Sequence, residues 1–330
     1  MKRIAILMKE NYMIKKSHCL RKTIRTLLLC FLVIISLLGL FLRFNMRSLG
    51  KPQRIIVFPV YAEEILLELI NKDRIIYVGH EYFENGSIFS PTMPLTRSKP
   101  GSVWQNCDVE ELIHLHPDLI ILDDGVRPLS FSTNIEKEGI QIIYVHQPRS
   151  VQDIYENIRI LGEAVGESQR ADSMIANMNC QLDTIEKTLT QSSQIQVPLK
   201  TVYYDYWQNS FSIIAEKSGL LNYYNYETDY AEINSKEIAK WNPDVIFFNP
   251  IWIDTDGSIV LISEEYAEEI KNKILLDPLL SKTTAVTSDR VFPLYPHRSQ
   301  FIIQDITNVL QLIYNYDWPL HMGTILCADE

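Results

Sequence analysis

The sequence predicts an α/β fold of two similar lobes joined by one long spine helix, with a ligand cleft between the lobes and a membrane segment before them. Two stretches 126 residues apart carry most of that expectation: DVEELIHLHPDLIIL at 108–122 and NSKEIAKWNPDVIFF at 234–248. Each reads as a short amphipathic helix, a Pro-Asp step (Pro117-Asp118, Pro243-Asp244) and the apolar, β-branched run of a buried parallel strand. Between them, from Ser150 to about Gln191, apolar residues recur every three to four positions, the period of a helix. Two lobes of like build in one chain usually enclose the cleft where a small molecule binds.

Taken in order, residues 1–25 form a basic segment, and 26–43 a membrane anchor or signal segment. Leu27 to Leu42 is uncharged; at ~1.5 Å per residue such a run is slightly short of a ~30 Å hydrocarbon core. Eight Lys and Arg against one acid, Glu10, precede it, which places that end in the cytoplasm and exports the rest. Ser48-Leu49-Gly50 offers a small-x-small cleavage site, but Arg43 and Arg47 intrude before it, so an uncleaved anchor is expected.

The first lobe, 54–149, has expected strands at Arg54–Pro59, Ile75–Gly79, Leu119–Leu122 and Ile142–Val145, with a helix over Ala62–Asn71. The linking helix, 150–191, starts on a Ser150/Asp153 capping box variant, with Gly162 and Gly166 as points of interruption. The second lobe, 198–330, has expected strands at 201–206, 245–248 and 290–294 and a closing helix over Ile303–Tyr314.

Composition narrows the function. Of 31 Lys and Arg and 41 Asp and Glu, ten and one lie within residues 1–47, which leaves 21 and 40 on the exported part, a net charge of −19. Nucleic acid is excluded as a partner on that balance. Cys107, Cys180 and Cys327 are odd in number and widely spaced, so neither a disulfide framework nor a CxxC metal site is implied. No GxSxG, HExxH, Walker or GxGxxG signature is present, in keeping with a binding protein, not an enzyme.

In open α/β sheets ligands sit beyond the carboxyl ends of the strands, so each strand end nominates side chains. The candidates are Tyr61 and Trp104 in the first lobe and Tyr206, Trp207, Trp252, Tyr295, His297 and Arg298 in the second. Their rings suit a flat or bulky metal chelate, and Arg298 suits a carboxylate or catecholate. Asp118 and Asp244 are expected to bond local backbone in turns.

The two Pro-Asp units, together with RIIVFPVYAEEILLELINKDRIIYVGH (54–80), GIQIIYVHQPRSVQDIYENIRILGEAVG (139–166) and NVLQLIYNYDWP (308–319), resemble the helical-backbone substrate-binding proteins of ABC importers. The resemblance implies no catalysis and no resident cofactor. It implies a metal chelate as ligand (ferric siderophore, haem or cobalamin), an ABC permease as partner, and a ligand-binding domain on the outer side of the membrane. Relatives are often lipoproteins, but Cys30 follows Leu29 near the start of the apolar run, which disfavours lipidation here. The resemblance also implies one docking glutamate per lobe, seven residues before the Pro of the Pro-Asp step. That count reaches Glu110 in the first lobe but Lys236 in the second, with the acid displaced to Glu237. Two alternatives stay open on the same architecture: a protein for bare zinc or manganese, drawing on His80, His146, His297 and Asp124, and a membrane-anchored sensor ectodomain.

Overall fold

The computed structural model describes residues 50–78, 109–124, 134–191, 198–204, 211–223, 234–250, 252–253, 259–260 and 264–314, with 252–253, 259–260 and 264–266 as backbone alone. The membrane segment at 26–43 lies outside these residues. Among the described ones no helix is long and apolar enough to cross a membrane.

The first sheet holds β1 (Ile55–Val57), β2 (Ile75–Val78), β3 (Leu119–Asp123) and β4 (Gln141–Val145) in the order β2-β1-β3-β4, all parallel. The second holds β5 (Lys200–Tyr204), β6 (Leu221–Asn222), β7 (Val245–Phe248) and β10 (Val291–Pro293) in the order β10-β7-β5-β6, also parallel. Read from the other edge, the second order repeats the first, so the twofold pattern in the sequence is a twofold pattern of topology. Between β7 and β10 stands an antiparallel pair, β8 (Trp252–Ile253) and β9 (Ile259–Val260).

Helices α1 (Val60–Leu69), α2 (Val109–His114), α3 (Val151–Ala164), α4 (Ser168–Gln191), α5 (Ser212–Lys217), α6 (Ser235–Trp241), α7 (Glu264–Leu276), α8 (Thr284–Thr287) and α9 (Ile302–Tyr314) cover the sheets. The strands are apolar on both sides because both faces are covered, as parallel sheets require. One face of each sheet (Ile55, Val57, Leu119, Ile121; Tyr203, Val245, Phe247) joins a single core with α1, α3, α4, α5 and α9. The opposite faces pack separately, Ile56, Ile120 and Leu122 in the first lobe and Val202, Ile246 and Phe248 in the second. The shared core makes Pro52–Glu330 one compact unit.

The two Pro-Asp units fold alike. His116 and Asn242, each just before the proline, adopt left-handed backbone with φ of 47° and 52°. Asp118 Oδ2 then accepts from the main-chain N–H groups of Gln53 and Arg54 at 2.7 and 3.0 Å, and Asp244 Oδ2 accepts from that of Lys200 at 2.9 Å. These are bonds to the start of the neighbouring strand, not the local turn bonds expected from sequence. Each aspartate pins the entry of one strand to the entry of the next.

The expected single spine helix is two helices. Ser150 caps α3, its Oγ accepting from Asp153 N at 3.1 Å, but Gly166 takes a φ of 75° and ends the run. Across the break Gly162 lies so near Ala171 that a Cβ there would overlap the alanine's, and Tyr155 Oη donates to Asn179 Oδ1 at 3.0 Å. Thus α3 packs on α1 in the first lobe, while α4, ~36 Å long for its 24 residues, packs against α5 and α9 of the second. Cys180 on α4 is disulfide-bonded, which the cysteine spacing did not foretell.

Candidate functional site

The segment that follows β10 meets the carboxyl ends of the first sheet's strands. Strand β3 ends at Asp123, β4 is followed by His146 and Gln147, and β10 by the segment Tyr295–Phe301. Tyr61, in the first turn of α1, is buried and donates from its hydroxyl to Asp123 Oδ2 at 2.6 Å. Burial first, and then the charge and hydrogen bond of Asp123, push the Tyr61 phenol far above its usual range, so it remains a donor. Arg298 reaches this pair from the second lobe; burial lowers its pKa, and Tyr295, Tyr61, Tyr203 and Asp123 offset only part of that. The Gln147 side-chain oxygen accepts from the same guanidinium.

His297 turns toward the other side of the segment. Asp305 on α9 accepts from the His297 main-chain N–H at 2.7 Å and lies 3.0 Å from its Nδ1. Nε2 lies 3.9 Å from Oε1 of Glu64 on α1. The rings of Tyr295 and Phe301 meet the imidazole edge-on, with centroids at 5.4 and 5.6 Å. Burial alone would lower the His297 pKa; the Asp305 hydrogen bond and the charges of Asp305 and Glu64 outweigh it and raise it. Beside it, Gln300 Nε2 donates to the main-chain oxygen of Glu64 at 2.9 Å.

Of the residues nominated from sequence, Tyr61, Tyr295, His297 and Arg298 are thus gathered where that segment meets the first lobe. Trp104, Tyr206 and Trp207 lie outside the described residues, and Trp252 stands on β8, described as backbone alone. Sequence reading passed over Glu64, Gln147 and Asp305. One signal was available for the first: Glu63 and Glu64 stand among apolar residues of α1 and are buried there, whereas Glu68 on the same helix is exposed.

Among the described residues no group of three His, Cys, Asp or Glu side chains could hold a metal ion. His80, part of the bare-metal alternative, lies outside them. Glu110 stands exposed in the first turn of α2. Lys236 is exposed at the equivalent place in α6, whereas Glu237 is half-buried and 4.0 Å from Lys240 Nζ. Asn234 caps that helix, its Oδ1 accepting from Lys236 N and Glu237 N at 3.1 and 3.3 Å.

Residues 99–296 match the profile of a family described as periplasmic binding proteins. A chain of Bacillus subtilis strain 168, described as an uncharacterized ABC transporter substrate-binding lipoprotein, is 25% identical over 166 residues, 46% of this chain and 50% of that one. The match therefore spans about half the length of that curated relative. A periplasmic heme binding protein from Pseudomonas aeruginosa superposes with a TM-score of 0.65 at 15% identity, covering 82% of this chain and 95% of that one. The apo form of the periplasmic heme-binding protein RhuT from Roseiflexus sp. RS-1 gives a TM-score of 0.63 at 16% identity, with 80% and 98% covered. At such identities the likeness is one of fold.

Proposed function

Because the chain belongs to the periplasmic binding protein family, we propose that it is the substrate-binding component of an ABC importer, taking a metal chelate between its lobes and delivering it to a permease. The observation that carries this reading is the convergence of Tyr61, Tyr295 and Arg298 at the carboxyl ends of the first sheet's strands, an aromatic surface with one fixed cation. The two structural neighbours named above are described as haem-binding, which makes haem the first chelate to try, followed by ferric siderophores and corrinoids. Asp123 and Gln147 hold the guanidinium rather than touch the cargo. Trp104, Tyr206, Trp207 and Trp252 supply further rings to the same cleft.

The segment at 26–43 anchors the chain, so that the lobes stand outside the membrane. Glu110, with Glu237 as a weaker second contact, meets the permease.

The test is an absorption spectrum of the full-length protein before and after incubation with haemin, cyanocobalamin and ferric siderophores, followed by desalting. A retained band with quenched tryptophan fluorescence is expected for one class. If none is retained, while zinc or manganese raises the melting temperature, the chelate reading falls.

A further inference from the structure

We propose that Glu64, His297 and Asp305 form a proton-held clasp between the lobes, closed while Glu64 and His297 share a proton and opened when that proton leaves.

The geometry assigns each group its part. Asp305 binds both the main chain and Nδ1 of His297, so the ring is fixed to the second lobe and its Nδ1 carries a proton. Nε2 is thereby left to face Oε1 of Glu64, which belongs to the first lobe, is 1% exposed and has no hydrogen-bond partner at that oxygen. The 3.9 Å separation is about 0.7 Å beyond hydrogen-bond range, a gap that a small approach of the two elements closes. Gln300, three residues on, already ties the main chain of Glu64 to the same segment.

With one proton between them, the pair is attractive whether the proton sits on Nε2 or on the carboxyl group. A second proton leaves the attraction in place, because the carbonyl oxygen of the neutral acid accepts from the imidazolium. Loss of the shared proton sets a buried carboxylate against a ring lone pair, with Asp305 negative behind it, and drives the elements apart. The clasp therefore opens on the alkaline side only.

The charged surroundings do not blur this response. Glu64 faces His297, Asp305 and its neighbour Glu63, with Ser299 hydrogen-bonded to it, and His297 faces Asp305 and Glu64. On α3, packed against α1, Glu156, Arg159 and Glu163 are exposed, and Asp153 accepts from Arg149 N. On α4 and α5, packed against α9, Arg170, Asp172, Asp183, Glu186 and Lys187 are exposed, and Glu216 pairs with Lys217. Arg298 is turned toward Tyr295, Tyr61 and Asp123. Burial above all raises the Glu64 pKa to about 8, which sets where the clasp lets go. If cargo is held between the lobes, as proposed above, its retention weakens over the same range; that consequence alone rests on the binding reading.

Hydrogen exchange of the ligand-free, full-length protein tests the clasp directly, followed in peptides covering 60–66 and 295–301 from pH 6 to 9 and corrected for the base-catalysed chemical rate. Protection in the wild type is expected to fall about tenfold with a midpoint near pH 8. In Glu64→Gln the amide donates to Nε2 without a titrating charge, so protection stays level. In His297→Phe it is low throughout. A wild-type profile that is flat, or one that Glu64→Gln shares, overturns the proposal. Because no cargo is present, a failure of the clasp leaves the chelate reading standing, and failure of haemin to bind leaves the clasp standing.

Discussion

Lys200 and Asp244 are joined twice: the Lys200 main-chain N–H donates to Asp244 Oδ2 at 2.9 Å, and the Asp244 N–H donates to the Lys200 carbonyl oxygen at 2.7 Å. In the first lobe Arg54 and Asp118 repeat the arrangement, at 3.0 and 2.8 Å. The side chain that follows each proline thus sets where one strand enters the sheet relative to the next.

Removing that side chain orphans a main-chain donor. Asp244→Ala is expected to cost about 1–2 kcal/mol, because the Lys200 N–H is partly buried, and Asp118→Ala about 0.5–1.5 kcal/mol, because water replaces the carboxylate at an exposed site. Urea unfolding midpoints measure both. An unchanged midpoint in Asp244→Ala would show that the bond contributes nothing net.

A second prediction follows from the buried acid on α1. The Glu64 pKa rises from 4.5 to about 8, chiefly by desolvation, so between those values the native state holds a proton that the unfolded chain has lost. Stability is greatest below pH 4.5 as far as this group is concerned, and is lost as pH rises through 8. The slope is at most about 1.4 kcal/mol per pH unit for one proton. The raised pKa of His297 has the same sign and acts above 6.5. Unfolding free energies of wild type and Glu64→Gln, compared from pH 5 to 9, should diverge with that sign; parallel curves would mean that Glu64 is ionised throughout.

The third prediction separates contact from support at the cleft. Trp207→Ala, Trp252→Ala and Arg298→Ala should each weaken haemin binding about 5- to 150-fold, as loss of a hot-spot group worth ~1–3 kcal/mol does. Arg298→Ala should lower the melting temperature as well, since it strips a partner from Gln147 and from the surroundings of Tyr61 and Asp123. The two tryptophan variants should melt as the wild type does. A loss of stability in all three, with haemin affinity retained, would mark them as core.

Attachment to the membrane is the fourth. Cys30 sits near the start of the apolar run, so Cys30→Ser should leave the full-length protein in the membrane fraction. Loss of attachment would point to lipidation, and a released form beginning near Lys51 to a cleaved signal.

The lobes were legible because buried parallel strands are near-continuous apolar runs, and VIFF at 245–248 is both the expected and the observed β7. The break in the spine was legible only in part: Gly162 and Gly166 marked where it could fall, but the apolar spacing continues past them, and the positive φ of Gly166 is what makes it the turn. The Glu64 site was hidden for a different reason: Gln300, which binds it, lies 236 residues away, so no local pattern announces the partner. Asp118 was misjudged in the same way, as a local turn residue, although its partners precede it by 64 and 65 residues.

The last prediction concerns the permease. Glu110 is exposed in the first turn of α2, while its counterpart in the second lobe is Lys236, an exposed cation. A one-residue shift on a helix turns a side chain by about 100°, so Glu237, drawn toward Lys240 at 4.0 Å, points away from the place Glu110 holds in the first lobe. The two lobes therefore present unlike charges at equivalent positions, and a permease that reads both must do so asymmetrically. An exposed charge pair is worth only ~0.2–1 kcal/mol, so Glu110→Ala should lower uptake modestly, whereas Glu110→Arg reverses the charge at the proposed contact and should abolish uptake. Glu237→Arg should do less. Uptake in cells of the chelate identified by absorption, set beside its affinity for the purified protein, reads docking apart from binding. Full uptake by Glu110→Arg, with affinity unchanged, would remove this surface as the docking site.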